Sequence, residues 1–260
     1  MARVISVVNQ KGGVGKTTTS VNLAAYLAHL GKLVLLVDLD PQGNASSGLG
    51  IDFKNITNGL YEVMTGPYNL ADIIHPTNHE NLHLAPANQN LAAANIELVS
   101  HDDREFKLHN NLKDVRSRYD YIIIDSPPSL GILTINGLVA ADEILIPVQC
   151  EYYALEGLGQ LLNTINLVKE NIKPELRILG AIMTMYDDKH KLTQEIFDEL
   201  YRYFPNRIFR TVIPRNIRLA EAPSFGRSIL HYDHKSTGAK AYEKLAREII
   251  LLENYSNYSN

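Results

Sequence analysis

The run Lys11-Gly12-Gly13-Val14-Gly15-Lys16-Thr17-Thr18 lies between an apolar stretch, RVISVV, and a segment with helical periodicity. Strand, glycine-rich loop and helix in that order leave few folds open. Gly12, Gly13 and Gly15 let the backbone take turns that side chains would make costly, so that successive N–H groups, that of Val14 among them, point inward at an anion. The helix that follows adds the positive end of its dipole. The string ends as a phosphate-binding loop ends, in Gly15-Lys16-Thr17. Lys16 is therefore expected on the β- and γ-phosphates of a nucleotide, the Thr17 hydroxyl on Mg²⁺ and Thr18 at the α-phosphate. The common form of the loop, G-x-x-x-x-G-K-[ST], would place a glycine at position 10. This chain has Gln10 there and carries an additional lysine, Lys11.

Short Val/Ile/Leu-rich runs recur along the chain: KLVLLVD, NLHLAP, YDYIIID, EILIPV, ELRILGAIM and RIFRTVI. Each is short enough for a strand buried on both faces, and helical patterns separate them. That alternation predicts an α/β fold, a P-loop NTPase with a mostly parallel central sheet and helices on both faces. Helices are expected over Thr17 to Leu30, Arg104 to Tyr119, Ala154 to Asn171, Leu192 to Tyr203 and Lys240 to Leu252, with short ones between Gly50 and Pro86. No repeat or internal linker divides the chain, so residues 1–252 are read as one domain and residues 253–260, polar and low in complexity, as a frayed tail.

The 260 residues are 45% hydrophobic, enough for a substantial core, and the net charge of -4 excludes a surface that is positive throughout. The single cysteine, Cys150, excludes an internal disulfide framework and reads as a buried thiol in a reducing, cytoplasmic setting. The N-terminus has no signal-peptide pattern, and no segment has the ~18 continuous apolar residues of a membrane span.

Three carboxylates complete the pattern. Asp38 closes the apolar run KLVLLVD and Asp40 follows it, with Pro41 preventing regular continuation. Asp125 ends the run YDYIIID, a Walker B pattern, and is expected to hold Mg²⁺ through a water molecule. Ligands of open parallel sheets bind at the carboxyl ends of strands, where all three lie. Acids beside a triphosphate are tolerable only with cations between them.

The string KGGVGKT, with VDLDPQGN and YIIIDSPPS after it, resembles the deviant Walker A loop and switch segments of the ParA/MinD family of ATPases. The blocks LTINGL, PVQCEYYALEGL and TVIPRNIRLAEAPSFG extend the resemblance to about Leu252 and favour the ParA/Soj partition type over MinD. The resemblance implies ATP and Mg²⁺ as cofactors and a homodimer formed face to face around two nucleotides. Lys11 would then reach the partner subunit's phosphates as a catalytic group beside Lys16. It further implies that Asp40 orients the attacking water, that Asp38 supports the metal and water shell, and that Met185, Pro214 and Asn216 lie around the adenine. A ParB-like centromere-binding protein would stimulate hydrolysis.

Between Tyr201 and His231 six arginines face one acid, Glu221. This basic patch suggests nonspecific contact with double-stranded DNA through Arg218, Lys189 and Arg227, and hence nucleoid association. Arg215 is read instead as structural or nucleotide-linked. Because the loop begins near residue 9, no additional N-terminal DNA-binding region is expected. Three rivals are weaker. A MinD-like membrane regulator needs a basic amphipathic tail that KAYEKLAREIILLENYSNYSN does not offer. A nitrogenase-type reductase needs two cysteines per subunit. A bacterial tyrosine kinase would need a richer tyrosine tail than Tyr255 and Tyr258.

Overall fold

The computed structural model describes residues 1–151, 157–187 and 191–257, without the side chains of residues 191–195 and 254–257. Seven strands form one sheet: β1 (Arg3–Val7), β2 (Val34–Asp38), β3 (His75–Pro76), β4 (Leu82–Ala85), β5 (Tyr121–Asp125), β6 (Glu143–Gln149) and β7 (Arg177–Thr184). Their order across the sheet is β3-β4-β2-β5-β1-β6-β7. Every pairing is parallel except that of the two-residue edge strand β3 with β4. Six of the apolar runs are therefore strands, as their composition predicts.

Alternation within β5 shows why these runs are apolar throughout. Tyr121 and Ile123 point into a core shared with the helix Lys16–His29 and the C-terminal helix Thr237–Asn257. Ile122 and Ile124 point into the opposite core, beneath the helices Ile132–Ala140 and Leu158–Asn171. With helices on both faces, every position of β5 is buried, and the period-2 signal of a half-exposed strand vanishes.

Two elements depart from expectation. RIFRTVI is not a strand: it runs beside β7 through two isolated bridges, Ala181 to Ile208 and Tyr186 to Pro214. Between them the backbone N–H groups of Arg210 and Thr211 donate to the Glu248 carboxylate, at 2.9 and 3.1 Å, instead of to a ladder. A side chain of the C-terminal helix thus interrupts the ladder between the Phe209 and Ile213 N–H groups, which donate to the Ala181 and Met183 carbonyls, both at 2.9 Å. The expected helix Arg104 to Tyr119 contracts to Lys107–Leu112, flanked by 3₁₀ turns at Arg104–Phe106 and Arg116–Arg118. Asn136 intervenes there, accepting from the Leu108 N–H at 3.1 Å and donating to the Arg104 carbonyl at 2.7 Å.

Elsewhere only the boundaries differ. The first helix is Lys16–His29 and closes at Gly31 with φ +84°. The helix expected from Ala154 begins at Leu158, residues 154–156 lying outside the described residues. Short α and 3₁₀ helices fill the stretch from Gly50 to Pro86. The last helix starts at Thr237 and runs past Leu252 to Asn257, while residues 258–260 are not among those described. It lies against the first helix, joined to it by a 3.2 Å hydrogen bond between the hydroxyls of Tyr242 and Thr19.

Candidate functional site

Strand register gathers the site. Val7 of β1 is paired with Asp125 of β5, and Asp125 with Asp38 of β2. The glycine loop therefore leaves its strand at the level where two carboxylates end theirs. Gly13 and Gly15 have φ of +75° and +88°, the left-handed region that favours glycine, so the loop curls before the helix starts at Lys16. The Thr184 hydroxyl at the end of β7 donates to the Val14 carbonyl at 2.8 Å and pins the curl.

Lys16 is 6% exposed, and its ammonium donates to the Lys11 carbonyl at 3.0 Å, across the mouth of the loop. Burial pushes its pKa below that of a free lysine, against the pull of Asp125 and Asp40. An anion seated in the loop would supply the missing counter-charge. Lys11 is only partly buried. Its N–H donates to the Asn9 side chain at 3.0 Å, and Asn9 donates in turn to the Pro147 carbonyl at 2.7 Å. Gln10, where the common loop has glycine, donates to Gln160 at 2.8 Å.

The three carboxylates differ in what they have left to bind. Asp125 accepts from Ser20 at 2.8 Å, and the Thr17 hydroxyl is near enough to favour its charged form, but its Oδ2 is buried with no partner. Asp38 is satisfied on both oxygens: Oδ2 takes the N–H and hydroxyl of Ser46, at 2.7 and 2.6 Å, and Oδ1 takes the Asp40 N–H at 3.4 Å. Asp40, 6% exposed, accepts from the Gln42 N–H at 3.0 Å. Burial pushes Asp38 and Asp125 above the usual carboxylate range, and their mutual repulsion adds to the shift of Asp38.

The unpartnered Oδ2 of Asp125 beside the Thr17 hydroxyl is a donor set of hard oxygens, and it fits Mg²⁺. Among the described residues no cluster of three or more His, Cys, Asp or Glu side chains could hold a metal alone. That accords with an ion which takes one or two protein oxygens and completes its shell with phosphate and water.

Beside Gly15 and Thr18 opens a cavity of about 340 Å³, lined by Met185, Pro214 and Asn216 among others. The three positions that the family resemblance implies, distant along the chain, thus line one space beside the loop. Met185 has φ +51°, uncommon for a side-chain-bearing residue, where β7 gives way to the following loop. Asn216 is held by its own bonds, accepting from the Arg218 N–H at 2.8 Å and donating to Thr237 at 2.8 Å. The lining also includes Thr184 and Tyr242, which sequence reasoning missed. Tyr242 shares a helical stripe with Leu245 and Ile249 and reads as core; Thr184 ends an apolar strand. Ser20 and Ser46, which orient Asp125 and Asp38, gave no spacing signal either.

The basic patch is less free than its composition implies. Arg218 pairs with Glu221 at 2.9 Å and lies 3.7 Å from Asp233. Arg202 pairs with Glu199 at 2.7 Å. Arg215 lines the 340 Å³ cavity and reaches Glu151 at 3.4 Å. Arg227 is exposed and has no acidic partner among the described residues. Lys189 lies outside them.

Residues 2–178 match the family model described as an AAA domain. The sporulation initiation inhibitor protein Soj of Bacillus subtilis is 53% identical over 249 residues, covering 96% of this chain and 98% of that protein. The chromosome partitioning protein ParA of Myxococcus xanthus is 50% identical over 250 residues, covering 96% and 88%. Among solved structures, cobyrinic acid a,c-diamide synthase from Mycobacterium smegmatis with bound ATP analog and magnesium superposes with a TM-score of 0.87. It is 37% identical, and the match covers 96% of this chain and 94% of that one.

Proposed function

The chain belongs to the Soj/ParA family of chromosome-partitioning ATPases, and from that premise we propose that it is a Mg·ATP-driven switch which binds DNA without reading its sequence. The observation that carries this reading is the register of β1, β5 and β2, which sets the glycine loop, Asp125 and Asp38 side by side next to the 340 Å³ cavity.

In this reading the loop amides of Gly12, Gly13, Val14 and Gly15 hold the phosphates, Lys16 turns from the Lys11 carbonyl to the β- and γ-phosphates, and Thr18 reaches the α-phosphate. The cavity takes the base: Met185 and Pro214 supply flat apolar contact and Asn216 a polar edge. Mg²⁺, when bound, neutralises charge on the phosphate oxygens. Thr17 and the open oxygen of Asp125 would hold it, while Asp38, which already accepts from Ser46 and the Asp40 N–H, positions Asp40. Asp40 orients the attacking water. Lys11, only partly buried at the start of the loop, stabilises charge on the partner subunit's nucleotide, so that hydrolysis requires a dimer.

Dimerisation would align Arg218, Arg227 and Lys189 from two subunits into one phosphate-binding surface. Weak hydrolysis, accelerated by a ParB-like partner, would release the DNA. No described helix is long and apolar enough to cross a membrane, and the basic residues suit nucleoid DNA as the surface.

The test is mass by light scattering with ADP and with ATP, using Asp40→Ala to slow hydrolysis, followed by retention on a nonspecific duplex. A dimer formed only with ATP, and retained on DNA only in that state, is expected. An ATP dimer that ignores DNA would remove the DNA reading and leave the nucleotide chemistry intact. A monomer in both states would remove the role given to Lys11.

A further inference from the structure

A second cavity, about 380 Å³, shares no lining residue with the 340 Å³ one and is lined by Leu49, Asn78, His79, Gly226, Arg227 and His231. Three segments meet there: the turn between β3 and β4, the end of the helix Asn44–Gly48, and the segment joining Phe225 to the helix Ile229–Asp233. Two glycines permit the meeting. Gly50 and Gly226, at φ +80° and +61°, approach so closely that a Cβ on Gly226 would stand 2.7 Å from the Gly50 Cα.

The rings of His79 and His231 stack at 3.7 Å between centroids, 15° from parallel. His79 is 7% exposed, and neither ring has a hydrogen-bond partner among the described residues. The Arg227 guanidinium has none either. The ionisable groups that act on the pair are Arg227 and His29, which ends the first helix, and each disfavours a protonated imidazole. No carboxylate is among these influences. Beside Arg227, the Ser228 hydroxyl is buried and also unpartnered.

Donors that converge on a concavity with no carboxylate in its lining describe the complement of an anion. Arg227 offers a planar fork, each imidazole offers a ring N–H, and Asn78 contributes an amide. A carboxylate would leave part of this set unused, whereas a tetrahedral oxyanion has three or more oxygens to distribute among them. A phosphodiester of duplex DNA, lying along an outer surface, would reach Arg227 but not the recessed His79. We propose that this cavity binds the phosphoryl group of a small phosphomonoester, held between the Arg227 fork and the edges of the His79–His231 stack. Arg227 also lines a further cavity of about 440 Å³ that reaches Thr17 and Thr18, so an anion here fixes a side chain that borders the nucleotide site. The proposal is independent of the nucleotide reading and shares only Arg227 with the DNA reading.

The experiment follows the histidine imidazole resonances by NMR in protein saturated with Mg·ADP, which keeps added anions out of the glycine loop. Inorganic phosphate is titrated, with acetate as the control. Saturable shifts of the His79 and His231 signals with phosphate, absent with acetate, are expected. Arg227→Ala and His231→Ala, both at exposed positions, should each weaken the phosphate response about tenfold, the loss of one charge-assisted hydrogen bond. No saturable shift, or equal shifts with acetate, overturns the proposal. The same signals are then followed in Asp40→Ala with Mg·ATP as a short duplex is added. Perturbation of His79 by the duplex but not by phosphate would make the cavity part of the DNA surface and overturn the small-molecule assignment.

Discussion

At the scale of single residues, what the sequence makes legible is the set proposed to hold phosphate and metal, because those roles demand fixed spacing in a short motif. Lys16, Thr17 and Asp125 meet in space as their motifs require. Their supports are not legible, since a serine that hydrogen-bonds a buried carboxylate can come from any nearby element. Ser46 is such a support. Ser46→Ala removes one of two donors to a buried oxygen of Asp38 and should cost about 1–3 kcal/mol in urea unfolding, with a fall in ATP turnover as Asp40 loses its anchor. Wild-type stability in this variant would mean that the backbone N–H alone satisfies Asp38. His79 gives a pH-dependent effect of definite sign. Burial, then His231 and His29, push its imidazole down to about 4, below the ~6.5 of a free histidine. Between those values the unfolded chain binds a proton that the native state refuses, so stability rises with pH through this window and is lost as pH falls towards 4. His79→Gln should flatten that part of a stability profile; an unaltered slope would assign it to other groups.

Elements were legible wherever local pattern and tertiary environment agreed. The six buried strands are the clearest case, because burial on both faces writes itself into composition. RIFRTVI has the same composition and is not a strand, since between the Phe209 and Ile213 N–H groups, which do bond β7, the Thr211 N–H goes to Glu248, 37 residues away along the chain. Asn136 breaks up the helix expected at Arg104 in the same way, by an interaction that no window of a dozen residues contains. The junction of the Asn44–Gly48 helix with the Phe225–Gly226 turn can be tested directly. Gly226→Ala puts a side chain into the left-handed region and against the Gly50 backbone, so a loss of about 2 kcal/mol or more is expected, read as a lower Tm. Gly12→Ala is the control: its added Cβ meets nothing within 4 Å and its φ is not positive, so its Tm should stay close to that of the wild type.

For the whole molecule the sequence conveyed architecture better than charge. Counting arginines predicted a free basic patch, but Glu199, Glu221, Asp233 and Glu151 neutralise much of it from positions that a linear count either excludes or underrates. The DNA affinity of the ATP state should therefore rest on few contacts. If a dimer neutralises about six phosphates, affinity should fall about 10³-fold between about 50 and 200 mM salt, measured as retention on a duplex of fixed length. A response much shallower than that would mean that the internal ion pairs persist on DNA. The joint between the two long helices of one face has a practical corollary. Tyr242 belongs to the last helix, yet it forms part of the wall of the 340 Å³ cavity, and its hydroxyl is bonded to Thr19, next in sequence to Thr17 and Thr18. Further along, the Ile249 carbonyl accepts from Arg3, and Glu253 accepts from Tyr121 in the central sheet. The chain's last turns are thus mechanically continuous with the wall of that cavity. An affinity handle or fluorescent reporter fused there acts on the part of the molecule whose behaviour it is meant to record.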